Sequence, residues 1–296
     1  MSGRRRRVLV LAALAAAVGG VCAGRLEASD NLWNNPLGGS FHDGANWSDG
    51  IPPAALDNAV FDLGSLLPYV VSISSDVSNN QLRVGNDQVQ FAFTPGITYS
   101  LTSASPSIPA VVVGDFPGNV GQLSLLDATM VAGGEVVIGA EGDGTLLVPS
   151  TSSFTGGDTS IGFVGTGHLL VQGGGKFTSS SGSLGSNPAA SGIAVVDGIG
   201  STWTNSGNLY VGDFGSGNLT VSTAASLVSG GIYSGYAGTG SITVDSGASL
   251  ISSSFIRVGE TATGTGTLRV TGGGTAQSVD GAIGFAGGSG RVIVWW

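Results

Sequence analysis

An all-β fold is predicted for this chain from three features of its sequence. Only 10% of the 296 residues are charged, whereas 41% are apolar and 53 are glycine. Low charge with this much glycine is unusual for an ordinary globular enzyme, but Val, Ile and Leu are too frequent and too evenly spaced for a disordered chain. The third feature is an internal repeat whose short apolar stretches alternate with period two, which is typical of strands.

The repeat is marked by an apolar residue followed by glycine, with Ser234 replacing the apolar residue once. These glycines, called the repeat glycines below, are 23 to 29 residues apart. They are Gly85, Gly114, Gly139, Gly162, Gly185, Gly212, Gly235, Gly259 and Gly284. Glycine at such corners accommodates a positive φ without the penalty of a Cβ atom.

Each repeat predicts three short strands. A turn and an alternating strand, such as Leu146/Val148, follow the repeat glycine. Six residues later comes a second inward position, and the third strand ends at the next repeat glycine. The second position is occupied by Val131, Phe154, Phe177, Leu227, Leu250 and Ala276, and by Trp203 after a one-residue insertion. We expect Trp203 to lie in the core.

One such repeat cannot bury its apolar side chains alone, but repeats stacked about 4.8 Å apart can. The prediction is therefore a single-stranded parallel β-helix of about nine coils over residues 66–296. Right-handed winding is expected from the crossover rule for parallel strands. A β-propeller is disfavoured because its blades need about 40 residues or more.

The first 23 residues are predicted to be a signal peptide. Four arginines at 4–7 precede a short apolar run and a small-x-small cleavage site, placed after Ala23 with Ala28 as the alternative. The Sec and twin-arginine routes both stay open. Removal of this segment takes away the only cysteine, Cys22, and leaves 6 basic against 19 acidic side chains, a net charge of −13. Such a surface argues against nucleic acid as a partner, and we expect no membrane insertion of the mature chain.

Residues 24–65 form a separate leader in which aromatic residues are concentrated, among them Trp33, Phe41, Trp47 and Phe61. A β-helix needs a cap because its open end would otherwise promote edge pairing. We predict that the leader is this cap. Aromatic residues that line a sugar-binding groove are the alternative interpretation.

The stretch at 196–222 reads VDGIGSTWTNSGNLYVGDFGSGNLTVS. It resembles the repeat of type V secretion (autotransporter) passengers and of PEP-CTERM-sorted bacterial proteins. The resemblance is close over 196–222, good to about residue 290, and thinner over 66–195. It implies an exported β-helix, extracellular or at the cell surface of a bacterium of the Gram-negative type, and it implies no catalytic residues.

No catalytic, cofactor-binding or metal-binding residues are assigned. His42 and His168 are too few and too far apart in the chain for a metal site or a catalytic triad. Acidic residues follow repeat glycines or first strands on coils that are not adjacent, too far apart for a glycosidase pair. These residues are Asp115, Asp213, Glu260, Asp197 and Asp245. We expect them to be solvated turn residues, with weak cation binding as an alternative.

Three classes of function are compatible with these features. The favoured one is a non-enzymatic exported scaffold, adhesive or matrix-forming, with extracellular polysaccharide or cell-surface components as partners and no cofactor. A carbohydrate-binding or polysaccharide-degrading β-helix is the first alternative, and the passenger of an autotransporter is the second.

The last residues, SGRVIVWW, place Val292 and Val294 at the start of a further coil. Trp295 and Trp296 are interpreted either as an aromatic lid or as part of a chain that continues beyond this coil. An uncapped last coil would present unpaired strand edges. We therefore expect end-to-end self-association of a protein that ends here.

Overall fold

The computed structural model describes residues 28–65, 67–103 and 108–295. The predicted signal peptide at 1–23 and the terminal Trp296 lie outside these residues. Within the described ranges the chain is a β-solenoid, as predicted, and its only helices are two three-residue 3-10 turns, Gly44–Asn46 and Phe285–Gly287. Neither of them is long and apolar enough to cross a membrane.

The first strand of every coil belongs to one sheet of 11 parallel strands. Its members are β2 (Gly39–Ser40), β4 (Tyr69–Ile73), β7 (Gln88–Phe93), β10 (Val120–Leu126), β13 (Asp143–Val148), β16 (Thr166–Gln172), β19 (Ser191–Asp197), β21 (Ser216–Ser222), β23 (Thr239–Val244), β26 (Thr265–Val270) and β29 (Ser289–Val294).

The second and third strands form the other, 18-stranded sheet. Its members are β1 (Asp30–Leu32), β3 (Asn58–Phe61), β5 (Val77–Asn79), β6 (Gln81–Val84), β8 (Thr98–Leu101), β9 (Val111–Val113), β11 (Thr129–Ala132), β12 (Val136–Ile138), β14 (Ser153–Thr155), β15 (Thr159–Ile161), β17 (Lys176–Ser179), β18 (Gly182–Leu184), β20 (Thr202–Val211), β22 (Ser226–Ser234), β24 (Ser249–Ser252), β25 (Phe255–Val258), β27 (Thr275–Gln277) and β28 (Asp280–Ile283).

The solenoid has eleven coils, so the expectation of nine is wrong. The two additional coils begin with β2 and β4, before the first repeat glycine. They were missed because β3 ends at Phe61 and is followed by Asp62, while the positive φ of this corner falls later, at Gly64 (71°). Eleven coils at the usual strand spacing give a rod about 50 Å long.

The repeat glycines hold consecutive coils together at one edge. Gly139 has a φ of 71°. A Cβ built on it would lie 2.1 Å from the carbonyl oxygen of Thr166 on the next coil. Gly167, at the start of the next first strand, would place a Cβ 2.1 Å from the backbone nitrogen of Gly162. The apolar-Gly spacing found in the sequence is therefore a record of where two backbones touch.

One hydrophobic core extends from Trp33 to Val270. The predicted inward residues fill it, and Trp203 is fully buried, as expected. One member of the second row was assigned wrongly: Val131 is 39% exposed and Met130, which pairs with Phe154, is buried in its place. The corner before Met130 is one residue shorter than in the following coil, because Asp127 turns the chain with a φ of 52°.

The leader contributes β1, β2 and β3 to the first coils, and its aromatic side chains are packed against one another at the N-terminal end of the core. Trp33, Phe41, Trp47 and Phe61 are each at most 2% exposed. The Trp33 ring meets the edge of Trp47 at a centroid distance of 5.1 Å. Because these rings are covered, they do not form the sugar-binding groove considered as the alternative.

Candidate functional site

The acidic corners are not the solvated residues that the sequence led us to expect. The Asp115 side chain is 7% exposed and is paired with Arg83 at 2.9 Å, and Glu260 is 8% exposed. Asp213 accepts a hydrogen bond from Ser183 at 3.1 Å. Burial raises the pKa of the Asp213 carboxyl above its ordinary value, against the effect of that hydrogen bond. The expectation failed because these turns fold back against the neighbouring third strand.

The two acids that follow first strands serve the turns. Asp197 accepts a hydrogen bond from the Ser222 hydroxyl at 2.6 Å, which lowers the pKa of its carboxyl. Asp245 accepts a hydrogen bond from the backbone N–H of Ser246 at 2.8 Å. Both carboxylates therefore act locally, as fasteners within a corner or between neighbouring coils.

The two histidines occupy unrelated positions. The Nε2 atom of His42 lies 3.2 Å from the hydroxyl of Ser75 in the first coils. His168 is half-buried on the outward side of β16, between Thr145 and Ile193 of the neighbouring coils. In the described ranges no three His, Cys, Asp or Glu side chains are grouped to hold a metal ion.

One outward surface carries most of the chemically distinctive side chains. It consists of the third strands and the turns after the repeat glycines, and is called the third-strand face below. On this face Val112, Val137, Ser160, Ser183, Tyr210, Tyr233, Arg257 and Ala282 follow one another in register from coil to coil. The row changes from aliphatic to hydroxyl to aromatic side chains along the rod.

The middle coils of this face carry two acids that sequence reasoning missed. Glu135 and Asp158 stand four residues before consecutive repeat glycines, and the N–H of Val136 donates to the carbonyl of Asp158 at 2.9 Å. The two acids therefore occupy equivalent points of adjacent coils, where they border a shallow depression of about 590 Å³. Burial and the neighbouring Asp158 charge raise the pKa of Glu135, although a hydrogen bond from Ser160 opposes this.

The C-terminal coils of the face carry a group of aromatic residues, called the aromatic array below. Its members are Tyr210, Phe214, Tyr233, Tyr236, Phe255 and Phe285. Tyr210 and Tyr233 are stacked with centroids 4.8 Å apart and an interplanar angle of 6°. Tyr236 meets both rings edge-on at 5.3 Å. Their contact across coils stabilises the stack, since each such pair contributes about 0.5–1.5 kcal/mol.

Arg257 and Glu260 complete the array. The guanidinium of Arg257 lies over the rings of Phe255 and Phe285, at 4.7 and 4.5 Å from their centroids. Its Nη1 atom is 2.7 Å from Glu260 Oε1. The other oxygen, Glu260 Oε2, is buried and is the one buried side-chain polar atom in the described part of the chain that has no hydrogen-bond partner. The sequence signal was available, because Asp213, Tyr236, Glu260 and Phe285 all directly follow a repeat glycine.

Comparison of the chain with protein-family models, with curated proteins and with solved structures finds no significant match. Function is therefore inferred from the geometry of the third-strand face and from the repeat itself.

Proposed function

We propose that this chain is an exported, non-enzymatic β-solenoid that serves as a structural or adhesive component of a bacterial cell surface or matrix. The observation that carries the proposal is the single core, which runs through eleven similar coils connected by short turns. A rod of this kind resists bending and presents long outward faces, whereas most enzyme sites are concave pockets. The signal peptide predicted at 1–23 and the resemblance of 196–222 to autotransporter and PEP-CTERM repeats support export.

Export and surface display are tested in a Gram-negative host with an epitope tag in an exposed turn. We expect the tag of the full chain to be removed by a protease added to intact cells, and the tag of a chain without residues 2–23 to stay protected. A full chain whose tag is found only in the cytoplasm would contradict the proposal.

A polysaccharide-degrading activity is the second candidate, and the positions of Glu135 and Asp158 favour it. Equivalent points on adjacent coils are about 4.8 Å apart, and the two carboxyl groups of a retaining glycosidase are separated by about 5–5.5 Å. The raised pKa of Glu135 suits a general acid.

Glu135→Gln and Asp158→Asn distinguish the two candidates when the purified chain is assayed for new reducing ends on neutral and acidic polysaccharides. The scaffold proposal predicts no turnover by the parent. Turnover by the parent that is lost in both variants, and kept in the exposed control Glu141→Gln, would establish the second candidate.

A further inference from the structure

The aromatic array lies where the preceding coils carry hydroxyl side chains. Tyr210 takes the register position of Ser183, and Tyr233 follows it on the next coil. Phe214 and Phe285 are 52% and 45% exposed. Large exposed apolar side chains grouped on one face mark a binding surface more often than a structural one, because burying them within the solenoid would have been more favourable.

Glu260 provides a second, independent observation. It is 8% exposed, and its Oε2 atom is buried without a hydrogen-bond donor. A buried acceptor in this condition costs about 1–3 kcal/mol, and such groups in native proteins call for an explanation. Glu260 occupies the same position in its coil as Tyr236 and Phe285 in theirs. The unpaired oxygen therefore lies within the array, below the guanidinium of Arg257.

The charges of the array indicate what kind of molecule it can bind. Arg257 is the one cationic side chain of this surface within residues 108–295, and Glu260 compensates it at 2.7 Å. The chain as a whole is acidic, with a formal net charge of −9. An anionic polymer would be repelled, whereas a neutral ligand with many hydroxyl groups could use both the ion pair and the tyrosine hydroxyls.

The shape of the array indicates a polymer. Its residues follow one another over four coils, from Tyr210 to Phe285, parallel to the solenoid axis. At the usual strand spacing these coils cover about 15 Å, which is the length of several sugar rings. A single sugar would contact only one or two of the aromatic side chains.

We propose that the aromatic array binds a neutral polysaccharide that lies along the solenoid axis. The apolar faces of the sugar rings contact the exposed surfaces of Phe214, Tyr236 and Phe285. The sugar hydroxyls exchange hydrogen bonds with the tyrosine hydroxyls, and Arg257 shifts to let one hydroxyl donate to Glu260 Oε2. This site would be the adhesive surface of the scaffold, so its biological setting rests on the proposed function, but the binding itself does not.

The proposal is tested by affinity electrophoresis of residues 24–296 in native gels that contain hydroxyethyl cellulose, laminarin or galactomannan, with alginate as the anionic comparison. We expect at least one neutral polysaccharide to retard the parent protein. Phe214→Ala and Tyr236→Ala should each raise the dissociation constant about 2- to 12-fold, the range expected for one aromatic contact. Because Phe214 is exposed, its variant keeps the test decisive even if Tyr236→Ala unfolds.

Phe116→Ala and Phe163→Ala are matched controls, since these residues are 53% and 42% exposed on the same face but lie outside the array. Their dissociation constants should stay within about twofold of the parent. Retardation by alginate alone, no retardation by any neutral polysaccharide, or equal weakening in the controls would overturn the site. A failure of surface display with intact binding would instead contradict only the proposed function.

Discussion

Replacement of Trp203 by alanine should cost this protein a large part of its stability. The indole is fully buried, meets the edge of Phe177 at 5.7 Å, and donates from Nε1 to the hydroxyl of Ser179 at 2.9 Å. It also covers Gly182, where an added Cβ would lie 3.2 Å from the indole. The substitution would therefore open a cavity on both sides of the coil.

The expected magnitude follows from this packing. Substitution of a buried Trp by Ala typically costs about 3–5 kcal/mol, and the loss of the hydrogen bond to Ser179 adds about 1 kcal/mol. The upper end of the range is expected, because the neighbouring backbones are held in ladders by hydrogen bonds and cannot collapse into the space. Trp203→Phe keeps one ring and should lose about half as much.

The free energy of unfolding is measured by urea denaturation of residues 24–296, followed by far-ultraviolet circular dichroism. Trp295→Ala is the matched control, because Trp295 is 65% exposed and the same side chain is removed; its free energy of unfolding should stay within about 0.5 kcal/mol of the parent. A Trp203→Ala variant as stable as this control would refute the assignment of the inward row.

Three further predictions concern coil contact, pH and association. Gly167→Ala should prevent folding or destabilise strongly, because its Cβ would lie 2.1 Å from a backbone nitrogen, whereas Gly281→Ala, with its nearest atom at 3.5 Å, should be tolerated; soluble yield and urea midpoints check this. Burial raises the pKa of Glu135 from 4.5, so its ionisation opposes folding as the pH rises through and above that value; Glu135→Gln should therefore gain stability relative to the parent between pH 4 and 7, and the exposed control Glu141→Gln should not. A protein of residues 24–296 should self-associate at tens of micromolar through β29, and Val294→Lys should suppress this in sedimentation velocity, since charges at strand edges oppose pairing; a parent that stays monomeric would contradict it.

The fold was largely predictable because its determinants are local. Period-two alternation identifies the inward side of each strand, and the repeat glycines identify the corner where backbones touch. The errors arose where these signals change form. Val131 was chosen over Met130 because a corner one residue shorter leaves the apolar pattern ambiguous, and two coils were missed because Phe61 is followed by Asp62 rather than glycine.

The candidate site was less predictable, for a physical reason. Tyr210 and Tyr233 are 23 residues apart in sequence, yet their rings are stacked at 4.8 Å, because the lengths of all the intervening turns place them in one register. Outward positions have no apolar pattern that would reveal such a row. The same holds for Glu135 and Asp158, which the sequence analysis did not consider.

The sequence by itself determined the class of fold, the inward rows and the burial of Trp203, because alternation and glycine corners act within a few residues. Only the tertiary structure decided which outward side chains meet, that Glu260 is buried beside Arg257, and that the corner acids are paired rather than solvated. Those contacts depend on the stacking register of whole coils, and a change of one residue in a single turn is enough to shift it.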